Sequence, residues 1–242
     1  MDLKNYTDDC FVYIPSSEVL IRDYVDHVKS ISSDYKLGIP GNPSGKEVIE
    51  KTVTVVAFRI SKIPVTNEFY HLVLGTTGGE SEKDKPVTDV NWFEAVTFCN
   101  RLSDALNLDK YYLISGQSVE RNLNAQGFRL PTDAEWQLAA QAGEQQYRYG
   151  NLDDIGWYDR NSDGMKHGTA LKDQNSFGLY DMLGNVWEWC WDRYDIDRYG
   201  DYRLFRGGSW ASDERACGST VRRKSSPEFK IDDLGFRLAR NG

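Results

Sequence analysis

Residues 206–240 read RGGSWASDERACGSTVRRKSSPEFKIDDLGFRLAR. Two blocks, Arg206-Gly207-Gly208-Ser209-Trp210 and Leu234-Gly235-Phe236-Arg237-Leu238, bracket a run of small and charged residues with no sustained helical or strand period. Each block reads as a strand in which glycine permits positive φ or close backbone approach and a large apolar residue anchors the chain. Trp210 and Phe236 are the expected core anchors. The segment between them reads as a loop held at both ends, free to change its chemistry without unfolding the protein.

Upstream of this segment, Asn91-Trp92-Phe93-Glu94 and Thr132-Asp133-Ala134-Glu135 each have the spacing of a capping box. The first predicts a helix to about Leu106, with Ala95, Val96, Cys99 and Leu102 as its buried stripe. The second predicts a helix that ends at Gly143, just past its C-cap. Thr66 opens a short helix through Leu74. Residues 11–15 read as an edge strand closed by Pro15, and residues 52–60 as a strand carrying Val53, Val55, Phe58 and Ile60. Residues 18–31 set Val19, Leu20, Tyr24, Val25, Val28 and Ile31 near helical spacing, so a helix inserted around residues 16–50 is expected. The turn-rich Gly38-Ile39-Pro40-Gly41-Asn42-Pro43 should follow it. Residues 150–178 read as a long loop region held by side-chain hydrogen bonds.

The bracketed segment completes a series of motifs that runs through most of the chain. In order they are Phe11-Val12-Tyr13-Ile14-Pro15, Ile63-Pro64-Val65-Thr66-Asn67, Pro86-Val87 with Asn91-Trp92 and Phe98-Cys99-Asn100-Arg101-Leu102, then Gly127-Phe128-Arg129-Leu130-Pro131-Thr132 with Glu135-Trp136. Gly178-Leu179-Tyr180-Asp181-Met182 and Gly184-Asn185-Val186-Trp187-Glu188-Trp189 lead to the Arg206 block and Gly235-Phe236-Arg237. The series resembles the formylglycine-generating enzyme family, a branch of the C-type lectin fold. That resemblance implies an α+β, C-type lectin-like domain of the formylglycine-generating enzyme type, with long irregular loops. One domain over residues 1–242 is expected, with a C-terminal variable region at 206–240.

Composition narrows the partners. A net charge of −8 argues against a general polyanion-binding surface, so nucleic acid is not an expected partner. Arg222-Arg223-Lys224 is the local exception and reads as a solvated face. Cys10, Cys99, Cys190 and Cys217 have no zinc-ligand spacing and read as free thiols. No signal peptide follows Met1, which fits a cytoplasmic protein or an exported domain whose targeting segment is absent from this sequence.

Two stretches offer oxygen ligands for calcium. Asp159-Arg160-Asn161-Ser162-Asp163-Gly164 matches the opening of an EF-hand loop, but Ala170 stands where the closing Glu belongs, so a plain turn is the better reading. The resemblance suggests a second set at Asn185, Val186 and Glu188, beside the alternative that Asn185 holds a turn and the neighbouring Trp187 and Trp189 are buried. No cofactor is required; calcium would be structural.

In the enzymes of the family two cysteines after the RGGSW block bind copper, and their counterparts here are Ser212 and Cys217. A single thiol supplies neither two-sulfur copper coordination nor a disulfide, so no catalytic residue is expected. Related iron enzymes use clustered histidines, whereas His27, His71 and His167 are scattered. The bracketed segment also resembles the variable region of retroelement-diversified proteins of this fold. In that register Cys217, Arg222, Pro227, Gly235, Phe236 and Arg237 are constant, and Gly218 and Lys230 stand where Arg is usual. The rewritten, ligand-contacting positions would be Ala211, Ser212, Asp213, Arg215, Ala216, Val221, Arg223, Lys224, Ser225, Ser226, Phe229, Ile231, Asp232 and Asp233. The resemblance implies a non-enzymatic, monomeric display protein at the cell surface, binding variable protein ligands on host or neighbouring cells. Membrane contact would come only through a lipid anchor outside this sequence. An oxidase of the family's type and an inert adaptor are the alternatives.

Overall fold

The computed structural model describes residues 3–24 and 48–242. After a short helix α1 (Leu3–Asp9), strand β1 (Phe11–Ile14) pairs antiparallel with β4 (Phe58–Ser61), and β4 pairs on its other side with β11 (Ala239–Asn241). β1 is an edge strand, as Pro15 implies. Ile14, Phe58, Ile60 and Ala239 point into the core, which ties the beginning of the described chain to its end.

The helix expected over residues 18–31 does not form over its first part. Ser17–Tyr24 is strand β2, paired antiparallel with β3 (Val48–Val55) from Ser17↔Val55 to Tyr24↔Val48. Val19 and Ile21 are buried two residues apart, the period of a strand, and β2 packs on helix α4 (Asp133–Gln141), where Gln137 Nε2 donates to the Leu20 carbonyl at 2.8 Å. A partner strand distant in sequence outweighed a local pattern that fits either period. Residues 25–31 of the expected helix, with His27, and the turn at residues 38–43 lie outside the described residues.

The other helices form as their caps dictate. Thr66 caps α2 (Asn67–Leu74), and the Asn91/Glu94 and Thr132/Glu135 capping boxes open α3 (Trp92–Ala105) and α4, with both reciprocal bonds made in each. Each cap contributes about 1 kcal/mol. Ala142 and Gly143 end α4 with positive φ. α3 buries Trp92, Val96, Phe98 and Cys99 against Phe128, Trp189, Phe205 and Phe236. α4 buries Trp136, Leu138 and Ala139 against Ile60, Cys190, Leu204 and Cys217. Each such large apolar side chain contributes roughly 1.5–3 kcal/mol on burial.

β5 (Tyr112–Ser115) and β6 (Ser118–Arg121) form a hairpin. Residues 150–178 contain one short helix, α5 (Leu152–Ile155), and otherwise turns fixed by side chains: Asn161 Nδ2 donates to the Gly156 carbonyl and Asn175 Nδ2 to that of Ala139. β7 (Trp187–Arg193) is then followed by α6 (Ile196–Tyr199) and β8 (Arg203–Arg206). β9 (Arg223–Ser225) and β10 (Leu234–Gly235) complete a sheet of order β10-β7-β8-β9, in which β10 runs parallel to β7. The segment between the two blocks therefore leaves from one neighbour of β7 and returns to the other, adding β9 to the sheet's edge on the way.

Candidate ligand-binding surface

The two ends of the segment are fastened by buried ion pairs. Arg237, fully buried, sets Nε 2.6 Å and Nη2 2.7 Å from the two carboxylate oxygens of Glu188, and the Trp136 indole donates to the same carboxylate at 2.6 Å. Arg206, also fully buried, donates Nε to Asp133 at 2.6 Å and Nη2 to Gln137 at 2.9 Å. Gly207 and Gly208 adopt positive φ, and a Cβ on Gly235 would collide with the Val87 carbonyl, so the glycines serve as expected. Only Arg206 of its block is in a strand. The rest turns away and is held by backbone bonds, Gly184 N to Gly207 O and Trp210 N to Asn185 O, both at 2.8 Å.

The middle of the segment is not a free loop. Arg206 Nη1 donates to the carbonyls of Ser219 and Val221, Arg148 to those of Glu214 and Cys217, and the Tyr147 hydroxyl to that of Arg215. Ala216, Cys217, Ser219 and Val221 are consequently inside the protein. A Cβ on Gly218 would overlap the Tyr147 ring, which gives the physical reason that glycine stands there instead of Arg. Arg222 is buried against Asp133 at 3.0 Å. Burial alone would raise the Asp133 carboxyl, but Arg206 and Arg222 more than offset it and hold it below the ordinary range. The expected solvated face at residues 222–224 is thus corrected: Arg222 is internal, Arg223 lies 5.1 Å from the centre of the Trp187 ring, and Lys224 Nζ lies 4.3 and 4.4 Å from those of Tyr194 and Tyr199. An acidic partner and aromatic rings, all distant in sequence, draw these cations onto the scaffold.

This saddle divides the segment into two arms of exposed and half-buried residues. The first holds Ala211, Ser212, Asp213 and Arg215, with Arg215 2.7 Å from Asp213 and Glu214 3.0 Å from Arg160. Backbone runs through it too: Asp159 N donates to the Ser212 carbonyl. The second arm holds Arg223, Lys224, Ser225, Ser226, Phe229, Ile231, Asp232 and Asp233, with Phe229 and Ile231 38% and 40% exposed. The arms meet at Ser209, whose hydroxyl lies 2.9 Å from that of Ser212 and donates to Asp233 at 2.6 Å. Burial pushes the Asp233 carboxyl up and the Ser209 bond pulls it back. Twelve of the fourteen candidate positions thus lie on the arms, whereas Ala216 and Val221 are in the core and take no part in the surface. Trp210 is half-buried rather than a full core anchor, because its block turns outward; Phe236 is fully buried against Phe98 and Tyr70. Lys230 pairs with Glu94 at 2.5 Å, which fixes the second arm to α3.

The side chains considered for calcium are engaged by the protein itself. Both oxygens of Glu188 are taken by Arg237, and a cation there would meet that guanidinium. Asn185, at φ 62°, accepts from His167 N at 3.0 Å and donates to the His167 carbonyl at 3.1 Å, so its side chain holds a turn. Asn185 and Val186 are fully buried. In the EF-hand-like stretch Asn161 and Ser162 bond the backbone of Tyr158, Gly156 and Trp210. Cys217 is fully buried and its thiol is pushed up to about 12 by burial, the opposite of a reactive or metal-binding thiolate. Ser212, at the position of the family's other cysteine, is committed to Ser209.

No sequence motif announced a groove of about 520 Å³ beside the second arm. It lies between the β5–β6 hairpin, the β7–β8 connection and residues 226–228, and Arg203 and Tyr202 line it. Of its lining, Tyr199 and Tyr202 are close in the sequence, but their spacing alone does not indicate a groove.

Comparison with known proteins agrees with this architecture. The model of the sulfatase-modifying factor enzyme 1-like domain matches residues 34–242. Variable protein 1 of Treponema denticola superposes with a TM-score of 0.79 at 31% identity, covering 96% of this chain and 95% of that one. The inactive C-alpha-formylglycine-generating enzyme 2 of Bos taurus is 32% identical over 201 residues, 73% of this chain; the match spans 58% of that protein's length. A chaperone protein LppX of Paenibacillus barcinonensis is 29% identical over 232 residues, 79% of this chain and 83% of that protein.

Proposed function

The chain belongs to the sulfatase-modifying factor enzyme 1-like family, and we propose that within it this protein is a non-enzymatic display scaffold that binds protein ligands through residues 211–233. The incomplete pair at Ser212 and buried Cys217 leaves no copper-thiolate chemistry to perform. One observation carries the binding reading: the segment's ends and middle are locked by Arg206 and Arg237, while two arms bring charges of both signs and two exposed apolar side chains to one surface. A prefixed surface loses little ordering entropy on association, and mixed charge sets orientation and rejects wrong partners. Likeness to a variable protein supports rewriting of the arms by a retroelement, and likeness to a chaperone supports protein as the ligand class. Presentation at the cell surface through a lipid anchor, facing host or neighbouring cells, belongs to the same reading.

The test is a library randomised at the twelve arm positions alone and selected against unrelated proteins, with binding and melting measured on each clone. Partner-specific binders with melting points near the parent's are expected. Binders that arise only from changes elsewhere, or general failure of the clones to fold, would overturn the proposal.

A further inference from the structure

Among the described residues, four of the five buried arginines share one habit. Arg129 reaches Glu135 at 2.7 Å, Arg206 and Arg222 reach Asp133, and Arg237 reaches Glu188. Arg203 departs from it. Only 7% exposed, it donates Nη1 to the Trp191 carbonyl at 2.7 Å and lies 3.8 Å from the centre of the Trp92 ring, but among the described residues no carboxylate comes within ion-pairing distance. Its buried Nε has no hydrogen-bond partner. Burial, with neighbouring Arg193 adding to it, lowers its pKa to about 10. Two indole rings and one carbonyl hold the guanidinium, and Asp201 and Asp192 act on it only from beyond ion-pairing distance.

Arg203 lines the groove beside the second arm, and the acids at the rim are already engaged: Asp201 pairs with Arg193 at 2.9 Å and Glu228 accepts from Gln117 at 3.0 Å. Tyr199 and Tyr202, stacked with ring centres 6.0 Å apart, and Phe93 supply apolar wall beside the cation. We propose that this groove is a carboxylate-binding subsite, in which Arg203 takes a side-chain or terminal carboxylate of a protein ligand and the aromatic wall takes the group that carries it. The inference rests on the ligand-binding reading and narrows it. Of the lining residues only Ser226 is among the candidate rewritten positions, so the subsite is a constant feature beside a changeable rim.

The probes are N-acetyltyrosine and its amide, which differ only in the carboxylate, titrated into the full chain and followed by NMR. The acid should bind about tenfold more tightly than the amide, the increment of one charge-assisted contact. Arg203→Gln should bring the ratio close to one with the aromatic shifts retained. Because Arg203 stacks on Trp92 that variant can fail to fold, so Ser226→Glu, which sets a carboxylate at the rim, is the second arm: it should keep the melting point and abolish the preference for the acid. Equal binding of the two probes to the parent, or an acid preference that survives in either folded variant, overturns the subsite. Neither result touches the arm library, and failure of the library leaves the probe titration intact, so the two proposals fail separately.

Discussion

The blocks that bracket residues 211–233 and the arms they enclose contain the same kinds of residue, but in opposite electrostatic settings. Arg237 and Glu188 meet with no solvent contact, whereas Arg215 and Asp213 meet at the surface, with the Arg side chain 61% exposed. An exposed pair is worth about 0–1 kcal/mol, but removing one partner of a buried pair costs about 3–5 kcal/mol. Charge in the blocks therefore fixes the fold, whereas exposed charge in the arms can change at little cost to stability. The saddle at residues 216–222 shows that this border runs through the middle of the segment rather than at its ends.

The sharpest test of the contrast is Arg237→Ala, which strands the Glu188 carboxylate in the core; urea unfolding should show a loss of about 3–5 kcal/mol. A loss below about 1 kcal/mol would erase the distinction between block and arm. Phe236→Ala should cost a comparable amount, about 3–5 kcal/mol, and half-buried Trp210→Ala measurably less. Equal losses would return Trp210 to the core.

Val221→Asn probes the saddle. Although position 221 falls among the candidate rewritten sites, the side chain is fully buried, and a polar replacement should cost about 1–3 kcal/mol by thermal melting. A neutral result would place the saddle with the arms.

Titration separates the regions as well. Burial raises Asp181 and Asp192, both in the scaffold, to about 6, while in the first arm the Arg215 contacts outweigh burial and hold Asp213 below the ordinary range. With a raised folded-state pKa, the native state binds the extra proton between about pH 4, where an unfolded Asp titrates, and about pH 6. The contribution of Asp192 to stability therefore falls as pH rises through that window. Relative to Asp192→Asn, the parent should lose stability between about pH 4 and about pH 7; a constant difference would show that the group does not titrate there. Asp213→Asn, whose effect has the opposite sign, should change the profile far less because Asp213 is near solvent. The smallest effects are expected for Phe229→Ala and Arg215→Ala, within about 0.5 kcal/mol. Losses comparable to that of Phe236→Ala would make the arms part of the core.

What could be read in the sequence was local or carried by the family motifs. The capping boxes at Asn91 and Thr132 need only residues three apart, and the glycines of the two blocks announce backbone that other residues cannot follow. What stayed hidden depends on partners far along the chain. Ser17–Tyr24 is a strand because β3 pairs with it and α4 covers it, while Val19, Leu20 and Tyr24 alone suit a helix as well. Arg222 looked like solvent-facing charge because Asp133, its counter-ion, lies far back along the chain in α4. The groove at Arg203 is assembled from a hairpin, a connection and an arm, and its defining property is a missing carboxylate, which leaves no trace in a sequence.

β11 pairs Ala239 with Ile60 and lies beyond the segment that the proposed rewriting would alter. Pairing over so long a stretch of chain has high contact order, which slows folding. A nucleotide inserted or lost within the segment would replace Arg237 and β11 with unrelated residues, leaving one edge of β4 unpaired and Glu188 without its cation. Such a product carries an open strand edge and a buried lone charge, the features that expose a chain to aggregation and proteolysis. Closure of the first sheet is thus a readout of the segment before it: only copies that keep the reading frame across the segment pair β11 with β4.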